Sequence, residues 1–386
     1  MTLKIGAAVS LEGETTQAGT AAARAATEAL GGEPADLALV FASGDHLAAP
    51  EQALEAVHAV LEPSVLAGCA AGGVLGPGCE LEGGTALSVW AAAFGGKGRA
   101  TPFHATVVDD GDEAVIQGLP SLSGSSGAIL LADPYSFPAD LALGALAEEA
   151  PGIPVLGGIS SAYGPEGPLF LDREVHEAGA VGVHLDGVEM LPCVSQGAAP
   201  LGRELTITAA EGNIVHELAG RPALETVQRI IGELSPRERG LVAGGLLIGI
   251  VIDSGKPEFE QGDFLVRGVV GADPESGSLA IGATVRNGQV VRLHARDARS
   301  ADEDLRRALR LQSQAIAGGK PAGVLLFSCN GRGSAMFGVR DHDAEAVQRE
   351  FGGAPAAGFF AAGEIGPVGG RSFLHGFTAT LAVFPG

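Results

Sequence analysis

Residues 323–333 have the sequence GVLLFSCNGRG, an apolar run that ends in small and polar residues. A helix is expected near Asp343–Phe351, and the sequence APAAGFFAAGEIGPVGG follows at residues 354–370. A continuous apolar run bounded by turn residues predicts a buried strand, and two such strands joined through a helix form a β-α-β unit. The segment therefore predicts a parallel strand pair with a glycine-rich tail.

The same pattern occurs twice earlier in the chain. Its parts are LALVFASG (37–44), a helix at Pro50–Leu61 and SVLAGCAAGGVLGPG (64–78), then AILLADPYS (128–136), a helix near Ala139–Glu149 and IPVLGGISSAYGPEG (153–167). The aligned positions, at the first strand's end and within the second strand, are Ser43 with Gly68, Asp133 with Gly158, and Cys329 with Gly358. The spacing matches a β-α-β crossover, and we expect three repeats with converging tips, although such units also arise independently.

The rest of the C-terminal half has a different pattern. Apolar stretches at 241–253 and 263–273 predict strands, and Asn287–Gly288 indicates a hairpin between the two strands that follow. The sequence therefore predicts an α/β (α+β) protein of two related halves, with mixed sheets packed as an α-β-β-α sandwich. Two open-sheet domains with a cleft between them are the alternative.

The length of 386 residues and the uneven charge favour two domains. Residues 1–193 carry 5 Lys and Arg against 25 Asp and Glu, whereas residues 194–386 carry 19 against 21. The turn-rich stretch Pro192–Pro200 separates them, so the predicted domains are 1–195 and 196–386. The acidic half is either a well-solvated surface or a surface that recognises a basic partner.

Composition excludes several classes of function. A net charge of −22 argues against a nucleic-acid or an anionic-membrane partner. The longest apolar run, Leu241–Ile252, is too short to cross a bilayer, and the N-terminus lacks the regions of a signal peptide. The four cysteines form no C-x-x-C pair. We therefore expect a cytoplasmic protein with reduced thiols and no metal or cofactor.

Candidate site residues lie at the glycine-rich tips, because ligands of α/β folds usually bind at the carboxyl ends of parallel strands. In the third segment Cys329, Asn330 and Arg332 follow the strand. Cys329 is a candidate nucleophile if a cation lowers the pKa of its thiol, but a small residue at a tight turn also explains it. Asp133 and Ser160 occupy the tip of the second segment.

Glu364 is a carboxylate in an otherwise apolar, glycine-bearing stretch, and His375 follows it closely. Because burial of an unpaired carboxylate is unfavourable, we expect Glu364 to be paired or to face a cavity. Arg332 is its natural partner. The two side chains either hold the tips together or bracket a zwitterion such as an amino acid, whose carboxylate suits a bidentate arginine.

Standard catalytic and nucleotide signatures are absent from the sequence. It contains no G-x-x-x-x-G-K-[ST], no G-x-G-x-x-G after a strand and no H-E-x-x-H. The stretch around Ser160, GISSA, only approximates the G-x-S-x-G of hydrolases. Neither nucleotide binding nor hydrolysis has motif support.

With these residues in view, the sequence resembles the FIST family, named for F-box and intracellular signal transduction proteins. The stretches that carry the resemblance are SVLAGCAAGGV (64–74), AGAVGVHL (178–185), GDFLVRGVVGAD (262–273), VLLFSCNGRG (324–333), AAGFFAAGEIGPVGG (356–370) and FLHGFTATLAVF (373–384). The resemblance implies a two-part sensor of small molecules such as amino acids, and it identifies no catalytic residue. No F-box, kinase or cyclase segment is evident, so output is expected through a separate signalling partner.

The leading hypothesis is a non-catalytic sensor of a small polar metabolite. Its candidate ligand-binding residues are Cys329, Asn330, Arg332, Glu364, His375, Asp133 and Ser160. The alternatives are an acyl- or amide-transfer enzyme that uses Cys329 and an acidic protein-interaction scaffold.

Overall fold

A computed structural model describes residues 3–109, 114–162, 167–259, 261–316 and 319–386. The chain forms two compact units, and its path between them is discontinuous. The first unit comprises Met1–Val194, Leu305–Leu374 and Ala379–Gly386, and the second comprises Ser195–Asp304 and His375–Thr378. The linear division at residues 195 and 196 remains a prediction about domain organisation.

The strands are, in chain order, β1 (Lys4–Ser10), β2 (Leu37–Ser43), β3 (Val65–Ala70), β4 (Val74–Gly76), β5 (Cys79–Leu81), β6 (Ala86–Ala93), β7 (Arg99–Asp109), β8 (Ala114–Gln117), β9 (Gly127–Ala132), β10 (Val155–Ile159), β11 (Leu169–Leu171), β12 (Glu174–His176), β13 (Ala180–Asp186), β14 (Leu191–Gln196), β15 (Ala198–Glu211), β16 (Ile214–Leu218), β17 (Arg221–Pro222), β18 (Leu246–Val251), β19 (Phe264–Asp273), β20 (Ser278–Ile281), β21 (Val290–Arg296), β22 (Gly323–Cys329), β23 (Ala356–Ala361), β24 (Gly363–Val368), β25 (Arg371–His375) and β26 (Thr378–Phe384). The helices are α1 (Thr15–Leu30), α2 (Pro50–Leu61), α3 (Ala139–Glu149), α4 (Ala223–Glu233), α5 (Pro236–Ala243), α6 (Ala298–Ala315), α7 (Ser334–Phe337) and α8 (His342–Glu350), with a short 3₁₀ helix at Gly44–Ala48.

The first unit contains three equivalent β-α-β units, as the sequence pattern predicts. They are β2-α2-β3, β9-α3-β10 and β22-α8-β23, and in each the two strands pair in parallel. An antiparallel strand, β6, β13 or β26, flanks the first strand of each pair. Each unit lies in a sheet of its own, so the mixed α/β fold expected from the sequence is confirmed.

A strand hairpin after each β-α-β unit joins the sheet of another unit. Hairpin β4–β5 pairs beside β23, hairpin β24–β25 beside β10, and hairpin β11–β12 beside β3. The three sheets therefore exchange edge strands in a cycle. This exchange ties the third unit, near the C-terminus, to the two near the N-terminus.

One hydrophobic core is shared by the inner faces of these three sheets. It contains Phe41, Leu131 and Phe327 from the first strands of the three units, together with Phe359 and Trp90. Helices cover the outer faces, where separate apolar clusters form against α1 and α2, against α3, and against α6 and α8. The arrangement thus has three sheets around one core, where the sequence predicted two sheets packed as a sandwich. The third sheet follows from the third repeat, whose apolar inner face also needs cover.

The glycines of the second strands align differently from the sequence-based alignment in one unit. A Cβ atom on Gly68, Gly157 or Gly358 would lie within about 2 Å of the carbonyl oxygen of Val40, Leu130 or Leu326, respectively. The equivalent of Gly68 and Gly358 is therefore Gly157, and the alignment on Gly158 is wrong by one residue. At these positions the strands approach so closely that only glycine fits.

The second compact unit has one seven-stranded sheet with the order β15-β21-β18-β19-β20-β16-β17. Its core includes Val227 and Ile230 of α4. The hairpin predicted at Asn287–Gly288 is wrong, because β20 pairs with β19 and β16 whereas β21 pairs with β15 and β18. The turn therefore connects two strands that are not neighbours. Within the described ranges, no helix of either unit has the length and apolar composition needed to span a membrane.

Candidate functional site

The tips of the three β-α-β units are hydrogen-bonded to one another. The Ser160 hydroxyl donates to the carbonyl of Ala70 at 2.7 Å, which joins the second tip to the first. The Asn330 N–H donates to Ala361 at 2.8 Å within the third unit, and the next residue, Ala362, donates to Ile159 of the second at 3.0 Å. The Ser161 hydroxyl also donates to the carbonyl of Phe360. The carboxyl ends of the parallel strands thus meet, as expected from the sequence.

Asp133 is a buried carboxylate at the second tip, with an exposed fraction of 2%. Its Oδ1 accepts hydrogen bonds from the Tyr135 N–H at 3.0 Å and from the Ser136 N–H and hydroxyl at 2.8 and 2.6 Å. This arrangement is an Asx turn that ends the strand. The other oxygen, Oδ2, is buried and has no hydrogen-bond partner among the residues that the structure describes.

Ser160 lies beside that oxygen. A Cβ atom built on Gly167 would be 2.8 Å from the Ser160 hydroxyl and 3.7 Å from Asp133 Oδ2. Because Gly167 has no side chain, the backbone can lie close to both polar groups. Of the predicted site residues, the structure brings Asp133 and Ser160 together.

Glu364 occupies a position that is apolar in the other two hairpins. It lies opposite Gly158 in β24, where the equivalent hairpins place Val74 and Leu169, both members of the shared core. Its neighbour Ile365 packs into the outer cluster, so the alternation of a strand turns Glu364 toward the shared core. The Glu364 side chain is fully buried, as its apolar surroundings in the sequence suggested.

Arg332 forms a bidentate ion pair with Asp343, a residue that was absent from the sequence-based candidates. The Nε–Oδ2 distance is 2.6 Å, the Nη2–Oδ1 distance is 2.8 Å, and both side chains are 1% exposed. Burial disfavours the charged guanidinium, but the Asp343 carboxylate outweighs it and raises the pKa of Arg332, with smaller contributions from Cys329 and Glu364. The predicted Arg332–Glu364 relationship is thus electrostatic, and the bidentate partner is Asp343.

The third guanidinium nitrogen of Arg332 and the other partners of Asp343 complete the description of this ion pair. Its Nη1 is buried and lacks a hydrogen-bond acceptor within the described part of the chain. Asp343 is also bound by the Ser328 hydroxyl at 2.8 Å and lies 2.8 Å from His342 Nδ1. Burial alone would raise the pKa of Asp343, but Arg332 and His342 hold it well below its usual range. The carboxylate is therefore charged at neutral pH.

Glu80, on the hairpin strand β5, is a second residue that the sequence analysis missed. Its Oε1 accepts the N–H groups of Asp343 and Ala344 at 2.7 and 2.9 Å, at the start of α8. Burial and the Asp343 carboxylate raise the pKa of Glu80 to about 7, against the effect of those hydrogen bonds. Nothing near Glu80 in the sequence indicated this contact, because its partners lie in a distant unit.

Cys329 and Asn330 lie at the end of β22. Cys329 is 5% exposed, and the Gly331 N–H points at its Sγ from 3.5 Å. Asn330 is exposed, with its Oδ1 at 3.9 Å from Cys329 Sγ, and its backbone N–H donates to Ala361. His375 is buried at the end of β25 and belongs to the second unit.

We call Asp133, Ser160, Cys329, Arg332 and Glu364 the inner polar cluster, since all belong to the joined tips or the strand beside them. Chemically, the cluster offers carboxylate acceptors, a guanidinium donor and a thiol in a mostly apolar setting. Within the described ranges, no three His, Cys, Asp or Glu side chains stand in an arrangement that could hold a metal ion.

Two family models match consecutive stretches of the chain. The FIST N domain model matches residues 36–221, and the FIST C domain model matches residues 223–367. The uncharacterized protein Rv0628c of Mycobacterium tuberculosis is 44% identical over 386 residues, which cover 99% of this chain and 100% of that protein. The uncharacterized protein Mb0898c of Mycobacterium bovis is 42% identical over 385 residues, 99% of each chain.

FIST domains are associated with sensing in signal transduction. The two matches together span most of the described chain, in the order N then C. The chain therefore belongs to the FIST domain family.

Proposed function

We propose that this protein is a cytoplasmic small-ligand sensor that binds a small polar metabolite, such as an amino acid, at the inner polar cluster. The observation that carries the proposal is that two buried polar atoms of opposite character, Asp133 Oδ2 and Arg332 Nη1, have no hydrogen-bond partner among the described residues. Buried polar groups in native proteins are nearly always hydrogen-bonded, so each exception needs an explanation. A ligand with a donor and an acceptor supplies one.

The charges of the cluster support a ligand of mixed character. Asp133 offers an acceptor for an ammonium or hydroxyl group, and Arg332 offers a donor for a carboxylate. The bidentate bond from Arg332 to Asp343 uses Nε and Nη2, and Nη1 keeps both of its N–H groups for a guest. It also fixes the direction of that nitrogen, which reduces the entropy lost on binding.

Glu364 adds a further argument. A carboxylate in place of Val74 and Leu169 is unfavourable for stability in a shared apolar core, where an aliphatic side chain would pack well. A binding function explains why the third hairpin carries a charge where the other two do not. We therefore include Glu364 and Cys329 among the residues that contact the ligand, with Asn330 as a further candidate from the sequence.

Because the family is associated with signal transduction, we propose that binding at the joined tips is transmitted to a separate signalling protein. The tips of all three units share hydrogen bonds, so a ligand that orders one tip stabilises the others. We expect the partner to be basic, because residues 1–193 contain 25 Asp and Glu against 5 Lys and Arg. Nucleic acid and anionic membranes are poor partners for a chain of this charge.

A thermal-shift experiment tests the proposal. Wild type, Asp133→Asn and Asp45→Asn are heated with each common L-amino acid and with small polar metabolites at millimolar concentration. Asp45 is an exposed carboxylate at the first tip and serves as the matched control. We expect at least one compound to raise the Tm of wild type and Asp45→Asn, by linkage, and to raise that of Asp133→Asn less. No stabilisation of wild type by any compound would contradict the proposal, and so would equal shifts in all three proteins.

A cysteine-dependent acyl- or amide-transfer enzyme is the second candidate. It is favoured by the electrostatic interaction between Arg332 and Cys329, since a nearby cation stabilises a thiolate. The burial of Cys329 opposes it. Thiol reactivity separates the two functions.

A further inference from the structure

A cavity of about 400 Å³ lies at the tip of the second β-α-β unit, within the first compact unit. Its walls are mostly apolar and include Pro134, Phe137, Leu141, Ile159, Ala362 and Leu374. Leu141 is 70% exposed although it lines this cavity, and nearby Tyr135 is 75% exposed. Exposed apolar side chains around a concave surface are typical of a ligand-binding groove or an interaction site. We call this the tip cavity.

The third β-α-β unit shows what fills the equivalent place. In α3 the residues that face the sheet include Ala142, Leu143 and Leu146. In α8 the corresponding buried residues are Asp343, Ala344 and Val347, at the same spacing from the close-approach glycine of the next strand. By this register the equivalent of Leu141 is His342.

An aromatic ring from the chain itself covers His342. Phe337 stacks on the imidazole with ring centroids 3.5 Å apart and an interplanar angle of 6°. Phe337 belongs to α7, in the long tip that separates β22 from α8. The guanidinium carbon of Arg332 lies 5.1 Å from the centre of the same ring. The third unit therefore supplies its own aromatic cover for the start of its helix.

Among the residues that the structure describes, the second β-α-β unit has no such aromatic cover. Its tip between Ala132 and Ala139 is shorter than the third tip and contains no helix like α7. In the first unit, Leu47 and Ala48 of the 3₁₀ helix line a smaller cavity of about 220 Å³ in the corresponding region. The twelve-residue third tip covers the start of its helix, whereas the six-residue first and second tips leave cavities, of which the second is the larger.

We propose that the tip cavity binds the aromatic ring of a small molecule, in the place that Phe337 occupies in the third unit. The volume is within the range of small-molecule sites, which are apolar with few polar groups. Asp140, at the first turn of α3, is the charged residue on its wall and favours ligands without an acidic group there. This site is separate from the inner polar cluster and has the opposite chemistry, so it extends the proposed function without depending on it.

Indole is a suitable probe, and NMR of the leucine methyl groups locates it. A ring stacked on Leu141 shifts the methyl resonances of that residue upfield by its ring current. Leu311 is the matched control because it is a leucine on another helix, 59% exposed. With indole at millimolar concentration we expect a saturable shift at Leu141 and none at Leu311. Cyclohexanol, whose ring is saturated and not aromatic, should bind more weakly.

Two variants complete the test. Leu141→Glu places a carboxylate in the apolar cavity and should weaken indole binding by about tenfold or more. Leu311→Glu should leave binding unchanged, and both side chains are exposed, so both variants are expected to fold. The proposal is overturned if indole shifts no methyl group at Leu141, if Leu141→Glu binds indole as wild type does, or if cyclohexanol binds equally well.

Discussion

The guanidinium of Arg332 and the carboxylate of Asp343 form a fully buried bidentate ion pair, with distances of 2.6 and 2.8 Å. Removal of one partner leaves an uncompensated buried charge, which usually reduces stability by about 3–5 kcal/mol. We expect that loss for Arg332→Met and for Asp343→Asn, measured by chemical denaturation. The double variant should lose less than the sum of the two, because it removes both charges.

Arg349 and Glu345 on the same helix provide the control. Their side chains are 65% and 58% exposed and 3.4 Å apart. Arg349→Met should change stability by at most about 0.5 kcal/mol. Equal effects of Arg332→Met and Arg349→Met would show that the buried pair does not hold the third tip to α8.

Glu80 makes stability depend on pH in a direction that is unusual for a carboxylate. Its pKa is raised from 4.5 to about 7 in the folded protein, so the folded state holds a proton there that the unfolded state has released. Between pH 4.5 and 7 the shifted ionisation of Glu80 therefore lowers the free energy of unfolding as the pH rises, by up to about 3 kcal/mol. Glu80→Gln lacks this ionisation and should show a less negative slope over that window.

The measurement is urea denaturation at several pH values from 5 to 8 for both proteins. The titratable groups that face Glu80 are His342 and Asp343, together with its strand neighbour Cys79. The carboxylate of Asp341 accepts a hydrogen bond from the Glu80 N–H. These groups are present in both proteins, so the difference in slope isolates Glu80. Identical slopes would mean that Glu80 ionises normally.

His294, in the second compact unit, makes stability depend on pH in the opposite direction to Glu80. Burial lowers its pKa from 6.5 to about 4, and its ring contacts Phe264 with centroids 4.8 Å apart. The folded state therefore holds fewer protons than the unfolded state between pH 4 and 6.5, and this term adds stability as the pH rises through that window. NMR titration should find the His294 imidazole neutral at pH 5.5, where an imidazole with the ordinary histidine pKa is mostly charged. A charged His294 at that pH would contradict the burial.

The close-approach glycines should tolerate no side chain. A Cβ atom on Gly68 would lie 1.9 Å from the Val40 carbonyl oxygen, and one on Gly358 would lie 1.7 Å from that of Leu326. Alanine at either position must force the parallel strands apart, and we expect a loss of about 3 kcal/mol or more. Gly13→Ala is the control, since nothing lies within 4 Å of its Cβ position. Its stability should change by less than about 1 kcal/mol, and a similar loss in all three variants would refute the register.

Thiol reactivity tests the enzyme alternative. Cys329 is buried, whereas Cys79 is half-buried with a pKa raised by burial and by Asp341. We expect Cys329 to react with a maleimide more slowly than free cysteine at pH 7, because access limits the rate. A Cys329 that reacts faster than free cysteine, and slows in Arg332→Met, would favour the enzyme over the sensor.

Particular residues show how far the sequence could predict the site. Glu364 stands out in the sequence because apolar neighbours surround it, and its burial follows from that pattern. Asp343 gave no such signal, since an acidic residue near the start of a helix is ordinary on an exposed surface. Asp343 is buried as an ion-pair partner because the tip after β22 places Arg332 beside the start of α8.

The sequence by itself determined the three β-α-β units, because strand and helix periodicity and glycine-rich turns act over neighbouring residues. Only the tertiary structure decided the cyclic exchange of hairpins and the partners of the buried charges. The Glu80 carboxylate and the N–H of Asp343 are 263 residues apart in the chain and 2.7 Å apart in space. Such contacts carry no local pattern, since they form only when apolar inner faces of three separate sheets close on one shared core.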